Sequence, residues 1–183
     1  MKIAATDYDG TLYRDDTIDD ETVTGIWEWR RKGHKFGVVT GRDYGMLVPQ
    51  LRYYKIDFDF AVCNNGGIIL NSDGEVLYQS RIEQEVLRAL AQDESTQDSL
   101  HFAFSAVDRT YIYGEREGSW IKREAEKWQF PIVMLQKEEI DSLDHIHQLS
   151  LGFMTSEASA ACSKILNRNY GTKIHAYPNR GSL

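Results

Sequence analysis

Two carboxylates stand two residues apart in the string Asp7-Tyr8-Asp9-Gly10-Thr11-Leu12. The string follows the apolar residues Ile3-Ala4-Ala5, which predict a first, buried β-strand. In an open α/β sheet, ligands bind at the carboxyl ends of the strands, which is where these acids would stand. Such a pair beside a glycine suits phosphoryl transfer, because one carboxylate can attack phosphorus while the other handles the proton. The alternative is an ordinary Asp-Gly turn with solvated acids, but the complete string is much more specific than Asp-Gly alone.

The elements that would position this string alternate between strands and helices. The first part of the chain predicts strands over residues 2–6, 35–40 and 58–63, helices over 20–32 and 44–53, and a hairpin within 68–78. Asp19 or Asp20 would cap the first helix, and Gly33 suits the position just beyond its end. A β-α-β-α-β order with short connections is typical of a parallel sheet covered by helices. The predicted fold class is therefore α/β, with a Rossmann-like parallel-sheet core.

The pattern changes after about residue 80. Helices are predicted over residues 82–92, 119–128 and 156–169, and strands over 101–107, 110–113, 132–135, 148–153 and 173–177. Ser156 would be the N-cap of the last helix. Antiparallel strands mixed with helices predict a separate α+β unit, so the expected domains are residues 1–80 and 81–183.

The composition limits the class of protein. The chain has 183 residues, of which 42% are apolar, and a formal net charge of −7. A core can form, but the acidic balance argues against nucleic acid or an anionic membrane surface as the main partner, because both attract clustered lysine and arginine. Cys63 and Cys162 stand far apart and in no metal-binding spacing. No apolar run approaches the ~20 residues of a membrane helix and no signal peptide precedes the first strand, which predicts a cytoplasmic protein.

Three segments together resemble those of the haloacid dehalogenase-like phosphatases. They are the string from Asp7 to Leu12, the segment Val38-Val39-Thr40-Gly41-Arg42, and the turn Asn64-Asn65-Gly66-Gly67. The order of elements is similar to that of the Cof-type branch of the family, in which a mixed α/β cap follows the third core strand. The resemblance covers the whole chain. It implies a family core, partial here, with an inserted α+β cap domain.

The resemblance implies a role for each matching residue. Asp7 is expected to be the nucleophile that forms an aspartyl-phosphate, and Asp9 the general acid and base. Mg²⁺ is expected between the Asp7 carboxylate and the backbone carbonyl of Asp9, where it would hold the phosphate and offset its charge. Thr40 would donate its hydroxyl to a phosphoryl oxygen. Further phosphate contacts are expected from Tyr8, Gly10 and Gly41, and contacts with the rest of the substrate from Arg42 and Asn65.

Several of these residues also have plain structural interpretations. Thr40 could simply end a strand, and Asp43 could only cap the next helix. Asn64 and Asn65 suit turn formation better than ligand binding. Arg42 is open between a substrate contact and a surface ion pair.

Two further motifs that the resemblance implies do not occur in these 183 residues. One is a lysine after the cap that pairs with the phosphate and the nucleophile. The other is a Gly-Asp-x-x-x-Asp segment on a fourth core strand. Without that strand the first strand becomes an exposed edge, through which two copies of the chain could pair as a homodimer. Turnover by this chain is expected to be very weak or absent, with an affinity for Mg²⁺ below the family level.

Three functional hypotheses follow from the sequence. The leading one is Mg²⁺-dependent hydrolysis of a small phosphorylated metabolite, with sugar phosphates as the expected class. The second is a sugar phosphomutase or a phosphatase specific for one sugar phosphate, and the third is an inactive fragment or pseudoenzyme that acts by binding. Transfer of phosphate to a sugar rather than to water would separate the mutase from the hydrolase.

Overall fold

The computed structural model of the chain describes residues 1–178. Two compact units divide the chain, Met1–Ser80 and Arg81–Leu183. The division falls where the sequence pattern changes from alternating strands and helices to antiparallel strands with helices. In the described part of the chain, no helix combines the length and the apolar character that crossing a membrane requires.

A five-stranded sheet forms the centre of the first unit. Its strands, in spatial order, are β1 Ile3–Asp7, β2 Lys35–Val39, β3 Phe60–Cys63, β4 Ile68–Asn71 and β5 Val76–Gln79. The first three run parallel, whereas β3, β4 and β5 pair antiparallel. Helix α1 spans Asp20–Arg31 between β1 and β2, and α2 spans Tyr44–Tyr53 between β2 and β3. The predicted α/β class with a parallel core is confirmed.

Carboxylates fix the start of both helices. Asp19 accepts a hydrogen bond from the N–H of Thr22 at 2.7 Å, and Asp43 accepts one from the N–H of Met46 at 2.7 Å. Each carboxylate satisfies a backbone donor that has no partner within its helix, and each lies at the positive end of the helix dipole. Because these signals are local, the sequence predicted both helices closely.

The core of the first unit is built from α2 and the inner strands. Leu47 and Leu51 on α2 are fully buried, as are Val38 on β2 and Ile68 and Leu70 on β4. Helix α1 has no buried residue. The packing that fixes the carboxyl ends of the parallel strands therefore comes from α2 and the inner strands.

β1 is an edge strand, paired with β2 alone among the described strands. The prediction of a buried first strand is wrong, because Ile3 is 65% exposed and none of the five residues of β1 is buried. The prediction that this strand lies at an exposed edge is confirmed. A strand with one neighbour leaves a row of backbone groups open to solvent.

Pairing of two copies of the chain through the exposed edge of β1 stays a prediction. Light scattering at rising protein concentration checks it, and the mass of a single chain at every concentration would contradict it.

A four-stranded sheet forms the centre of the second unit. Its strands are β6 His101–Ser105, β7 Thr110–Tyr113, β8 Ile132–Met134 and β9 Gln148–Gly152, in the spatial order β8-β7-β6-β9. The helices are α3 Gln84–Gln92, α4 Ile121–Trp128 and α5 Ser156–Tyr170. Every residue of β6 is buried, and the strand is paired on both edges. Leu90 of α3 and Leu166 of α5 share one apolar cluster, so these two helices pack together.

Two local predictions in this unit are wrong. The N-cap of α5 is Thr155 and not Ser156, because the Thr155 hydroxyl accepts a hydrogen bond from the N–H of Ala158 at 3.2 Å. Residues 173–177 do not form a strand. The side-chain amide of Asn167 instead bonds both the carbonyl and the N–H of Ala176, each at 2.8 Å. That amide occupies the backbone groups that a neighbouring strand would need.

His101, at the start of β6, is a fully buried imidazole in the second unit. Burial lowers the pKa of His101 to about 4, although the charge of Glu115 opposes the shift. Nδ1 lies 2.9 Å from the hydroxyl oxygen of Ser119, and no described residue hydrogen-bonds Nε2. The imidazole is therefore neutral at neutral pH and gains no second partner that would stabilise a charge.

Acidification is expected to destabilise the fold through His101. In the unfolded chain the pKa of histidine is about 6.5. As the pH falls below that value, the unfolded state therefore binds a proton while His101 in the folded state is still neutral. Because the folded pKa is the lower one, the stability gained from neutral His101 is complete above about pH 6.5. Between about pH 6.5 and about pH 4 the free energy of unfolding is expected to fall by roughly 2–3 kcal/mol for this reason. Urea unfolding over this range checks the prediction; His101→Gln should show a weaker dependence on pH, and equal slopes would contradict it.

Candidate active site

The predicted site residues follow the carboxyl ends of the three parallel strands. Asp7 is the last residue of β1 and pairs in register with Val39, the last residue of β2. Thr40 follows directly, and its N–H donates to the carbonyl of Val62 on β3 at 2.9 Å. The parallel register therefore brings the string after β1 and the turn after β2 to the same edge of the sheet, as predicted for a ligand site.

The loop after β1 is closed by its own backbone. The N–H of Gly10 donates to the carbonyl of Tyr13 and the N–H of Tyr13 donates to the carbonyl of Tyr8, each at 2.8 Å. Gly10 has φ +80°, in the left-handed region that glycine adopts without strain. Because its own N–H is used inside the loop, Gly10 contributes the shape of the loop that carries the carboxylates.

Asp7 presents an accessible carboxylate. The residue is exposed, and Oδ2 accepts a hydrogen bond from the hydroxyl of Thr11 at 2.9 Å. This single neutral bond leaves lone pairs on both carboxylate oxygens. The group can therefore approach a phosphorus atom or a cation from the solvent side.

Tyr8 is a core residue rather than a ligand through its side chain. The ring is fully buried, its hydroxyl donates to Oε1 of Gln50 at 2.9 Å, and it stacks on Tyr13 with 5.6 Å between ring centres. Burial raises the pKa of Tyr8 well above its usual value, against the opposing charge of Arg42. The phenol therefore stays neutral, and only the backbone of Tyr8 remains for the predicted phosphate contact.

Asp9 is held by Arg42 across the gap between the two loops. Nε of Arg42 lies 2.9 Å from Oδ2 and 3.2 Å from Oδ1, and Nη2 lies 2.8 Å from Oδ1. The guanidinium carbon also lies 5.2 Å from the centre of the Tyr8 ring, a cation–π distance. Of the two interpretations of Arg42, the structure shows an ion pair, and its partner is the carboxylate with the predicted acid and base role.

Thr40, two residues before Arg42, is buried. Its hydroxyl oxygen accepts a hydrogen bond from the N–H of Arg42 at 3.1 Å. A hydroxyl that already accepts is oriented to donate its hydrogen elsewhere. This arrangement suits the predicted donation to a phosphoryl oxygen, although Thr40 also ends its strand in the plain structural sense.

Gly41 and Asn65 approach each other closely. A Cβ added at Gly41 would lie 3.0 Å from Oδ1 of Asn65, and the N–H of Asn65 donates to the carbonyl of Thr40 at 3.2 Å. The turn after β3 thus closes over the turn after β2. Asn64 and Asn65 have φ of 52° and 53°, as the turn interpretation predicts for asparagine.

Asn64 adds a feature that sequence reasoning missed. Its side chain is buried, and neither Nδ2 nor Oδ1 has a hydrogen-bond partner among the described residues. Its backbone N–H donates to the carbonyl of Arg42 at 3.0 Å, which places it behind the Arg42 loop. The only signal in the sequence was the pair Asn64-Asn65, which indicates a turn and not a buried amide.

Asp43 has the predicted capping role at the start of α2.

Oxygen atoms at this edge fit one Mg²⁺. Within residues 1–178 there is no group of three or more His, Cys, Asp or Glu side chains that could hold a metal ion. Mg²⁺ does not need one, because it keeps several waters and binds through one or two carboxylates together with the phosphate oxygens of a substrate. The exposed Asp7 carboxylate and the backbone carbonyl of Asp9 are hard oxygen ligands of this kind. The donor set therefore suits a weakly held, water-rich ion.

Comparison with known proteins places this geometry in a family. The model of the haloacid dehalogenase-like hydrolases matches residues 4–182, nearly the whole chain. No curated protein matches the chain. Solved structures do match, at sequence identities that support the fold alone.

Three of these structures illustrate the likeness. The HAD subclass IIB sugar phosphatase BT4131 has a TM-score of 0.70 at 22% identity, over 90% of this chain and 63% of that chain. The phosphatase BT1666 from Bacteroides thetaiotaomicron has a TM-score of 0.69 at 19% identity, over 91% and 61%. A putative HAD/COF-like hydrolase from Plasmodium vivax has a TM-score of 0.72 at 18% identity, over 92% and 61%.

The chain therefore spans a little over three fifths of the length of each of these proteins. This chain shares the fold of these proteins. Because the family model extends over nearly all of the chain, the chain belongs to the haloacid dehalogenase-like hydrolase family.

Proposed function

We propose that this chain carries the nucleophile of a phosphohydrolase that acts on small phosphorylated metabolites through an aspartyl-phosphate on Asp7. The observation that carries the proposal is the exposed Asp7 carboxylate at the carboxyl end of β1, two residues before an Asp9 carboxylate fixed by Arg42. Covalent catalysis needs a free nucleophile, and acid–base catalysis needs a second group held near it.

The first step transfers the phosphoryl group to the protein. A carboxylate oxygen of Asp7 forms a bond to phosphorus while the bond between phosphorus and the ester oxygen breaks. The Asp9 carboxyl gives its proton to the departing ester oxygen, which leaves as an alcohol. The hydroxyl of Thr40 donates to a phosphoryl oxygen and stabilises the charge that gathers there.

The second step returns Asp7 to its starting state. Asp9, now a carboxylate, takes a proton from a water molecule whose oxygen attacks phosphorus. The acyl phosphate bond on Asp7 breaks and inorganic phosphate leaves. Asp7 and the Asp9 carbonyl would hold Mg²⁺, which supplies neutralisation of the phosphate charge when it is bound.

Sugar phosphates are the proposed substrate class. The support is the fold that this chain shares with a sugar phosphatase of HAD subclass IIB. The chain spans 63% of that protein. Cys63 and Cys162 are buried free thiols, which suits the reducing cytoplasm proposed as its location.

A phosphate-release assay with mass spectrometry tests the proposal. The chain is incubated with Mg²⁺ and a set of sugar phosphates, p-nitrophenyl phosphate and acetyl phosphate, and both free phosphate and phosphorylated protein are measured. A phosphoryl group on the peptide that contains Asp7 supports the proposal even if its hydrolysis is slow. Transfer of the group to an added sugar would favour a mutase. Neither release nor phosphorylation with any ester would leave only a binding role.

A further inference from the structure

We infer that Arg42 is the positioning residue for Asp9, holding the carboxylate that exchanges protons in the orientation that the reaction needs. The inference rests on the proposed function, because it assigns Arg42 a task within the same site. It differs from the substrate contact expected for Arg42 from the sequence, since here the residue acts through another side chain.

The ion pair between these residues has the geometry of a fork. Three contacts of 2.8, 2.9 and 3.2 Å join Nε and Nη2 of Arg42 to both oxygens of Asp9. A planar guanidinium bound to both oxygens fixes the rotation of the carboxylate as well as its distance. A carboxylate has about four lone-pair sites, so three contacts leave room for the proton that Asp9 exchanges.

Arg42 is itself held from several directions. Its side chain is 20% exposed, against 48% for Asp9, and its guanidinium lies over the buried Tyr8 ring. Its N–H donates to the Thr40 hydroxyl at 3.1 Å, and its carbonyl accepts from the N–H of Asn64 at 3.0 Å. The more exposed partner, Asp9, is therefore positioned by the more buried one, Arg42. The same peptide that carries Arg42 also orients the Thr40 hydroxyl.

Kinetics of Arg42→Lys separate positioning from substrate binding. Lysine keeps the charge but loses the fork, so Asp9 is no longer fixed in rotation. We expect kcat to fall by about 10–100-fold and KM to change by less than about threefold, because the ground-state complex does not depend on Asp9. The loss should be larger with an alkyl phosphate than with p-nitrophenyl phosphate, whose leaving group departs without needing a proton. A rise in KM at unchanged kcat, or equal losses with both esters, would overturn the inference.

Arg52→Lys is the matched control, because Arg52 is an exposed arginine in the last turn of α2. It should leave kcat and KM unchanged. Arg42→Gln removes both the charge and the fork, and should be at least as impaired as Arg42→Lys. A partial recovery in the lysine variant relative to the glutamine variant would show that the charge contributes separately from the fork.

Nitrogen-15 NMR of the arginine side chains tests the pair without any turnover. An Nε–H held by a carboxylate exchanges slowly with water, so Arg42 should give a distinct resonance in the wild-type chain. That resonance should move or broaden away in Asp9→Ala and stay unchanged in Asp98→Ala, a change at an exposed aspartate in the second unit. If the chain neither releases phosphate nor becomes phosphorylated with any of the compounds, the proposed function fails and the NMR comparison alone decides. A resonance indifferent to Asp9→Ala would overturn the inference.

Discussion

Replacing Asp7 with Asn is expected to abolish the Mg²⁺-dependent phosphate release that the wild-type chain shows, because the amide cannot form the acyl phosphate through which the reaction proceeds. Phosphorylation of the peptide that contains Asp7 should disappear at the same time. Wild type and variant are compared at equal concentration by the release of phosphate from p-nitrophenyl phosphate and by mass spectrometry. The two measurements together separate loss of the covalent step from slow hydrolysis of the intermediate.

The Asp7→Asn variant should remain folded. Asp7 is exposed, and the one hydrogen bond that its side chain accepts, from Thr11, can also be accepted by an amide oxygen. Asp98→Asn, at an exposed aspartate of the second unit, is the matched control and should retain full release. If Asp7→Asn kept most of the Mg²⁺-dependent release, the nucleophile would be another residue and the proposed function would be wrong.

Replacing Asp59 with Asn is expected to lower the free energy of unfolding by about 2–4 kcal/mol. The Asp59 carboxylate, 16% exposed, accepts from Nε of Arg30 at 3.0 Å, from Nζ of Lys35 at 2.9 Å and from the N–H of Phe36 at 3.0 Å. These bonds tie α1 to β2 and to the start of β3. The side-chain amide of the variant carries no charge. Its N–H₂ group is a donor and cannot accept a hydrogen bond from Arg30, Lys35 or the N–H of Phe36.

Asp57→Asn is the matched control for this prediction. Asp57 also faces Arg30, at 3.5 Å, but its side chain is 81% exposed. A solvated pair of this kind contributes less than about 1 kcal/mol, so the control should lose little stability. Urea unfolding followed by circular dichroism compares the two variants. Equal losses of unfolding free energy in the two variants would show that the burial of Asp59 does not add to the stability of the fold.

The Asp59 network also predicts a dependence on pH. Burial alone would raise the pKa of Asp59, but the bonds from Arg30, Lys35 and Phe36 outweigh it and lower the pKa below its usual range. Because the folded pKa is the lower one, the stability is fully present above the unfolded value of about 3.9 and is lost as the pH falls toward the folded value. The difference in unfolding free energy between wild type and Asp59→Asn should therefore shrink below about pH 4. A constant difference down to about pH 2 would contradict this account.

Elements with strong local signals were predictable from the sequence. Tyr44–Tyr53 formed the predicted helix with the predicted bounds, since Asp43 supplies a cap and the following residues bury one face. Thr110–Tyr113 likewise formed the predicted strand. The first strand formed as well, at the exposed edge that the sequence predicted. The prediction that its residues are buried was wrong, because an apolar run does not reveal how many neighbours a strand has.

The errors lie where a distant side chain competes for backbone groups. Residues 173–177 have the composition of a strand, but the amide of Asn167 bonds both backbone groups of Ala176. Asn64 has the sequence of a turn residue, and it forms a turn, but the burial of its amide depends on the packing around it. Neither the bonds of the Asn167 amide nor the burial of the Asn64 amide can be seen in a local window of sequence.

The sequence by itself determined the family and the spacing of the two carboxylates. Asp7 and Asp9 are two residues apart in the sequence, so any strand that ends at Asp7 places both carboxylates at its carboxyl end. The tertiary structure decided which groups meet them. Arg42 lies 33 residues from Asp9 along the chain, and the two are joined only because β1 and β2 pair in parallel with Asp7 opposite Val39. A shift of that register would move the guanidinium of Arg42 away from the Asp9 carboxylate. Composition and motif alone therefore left the role of Arg42 open between a substrate contact and an ion pair.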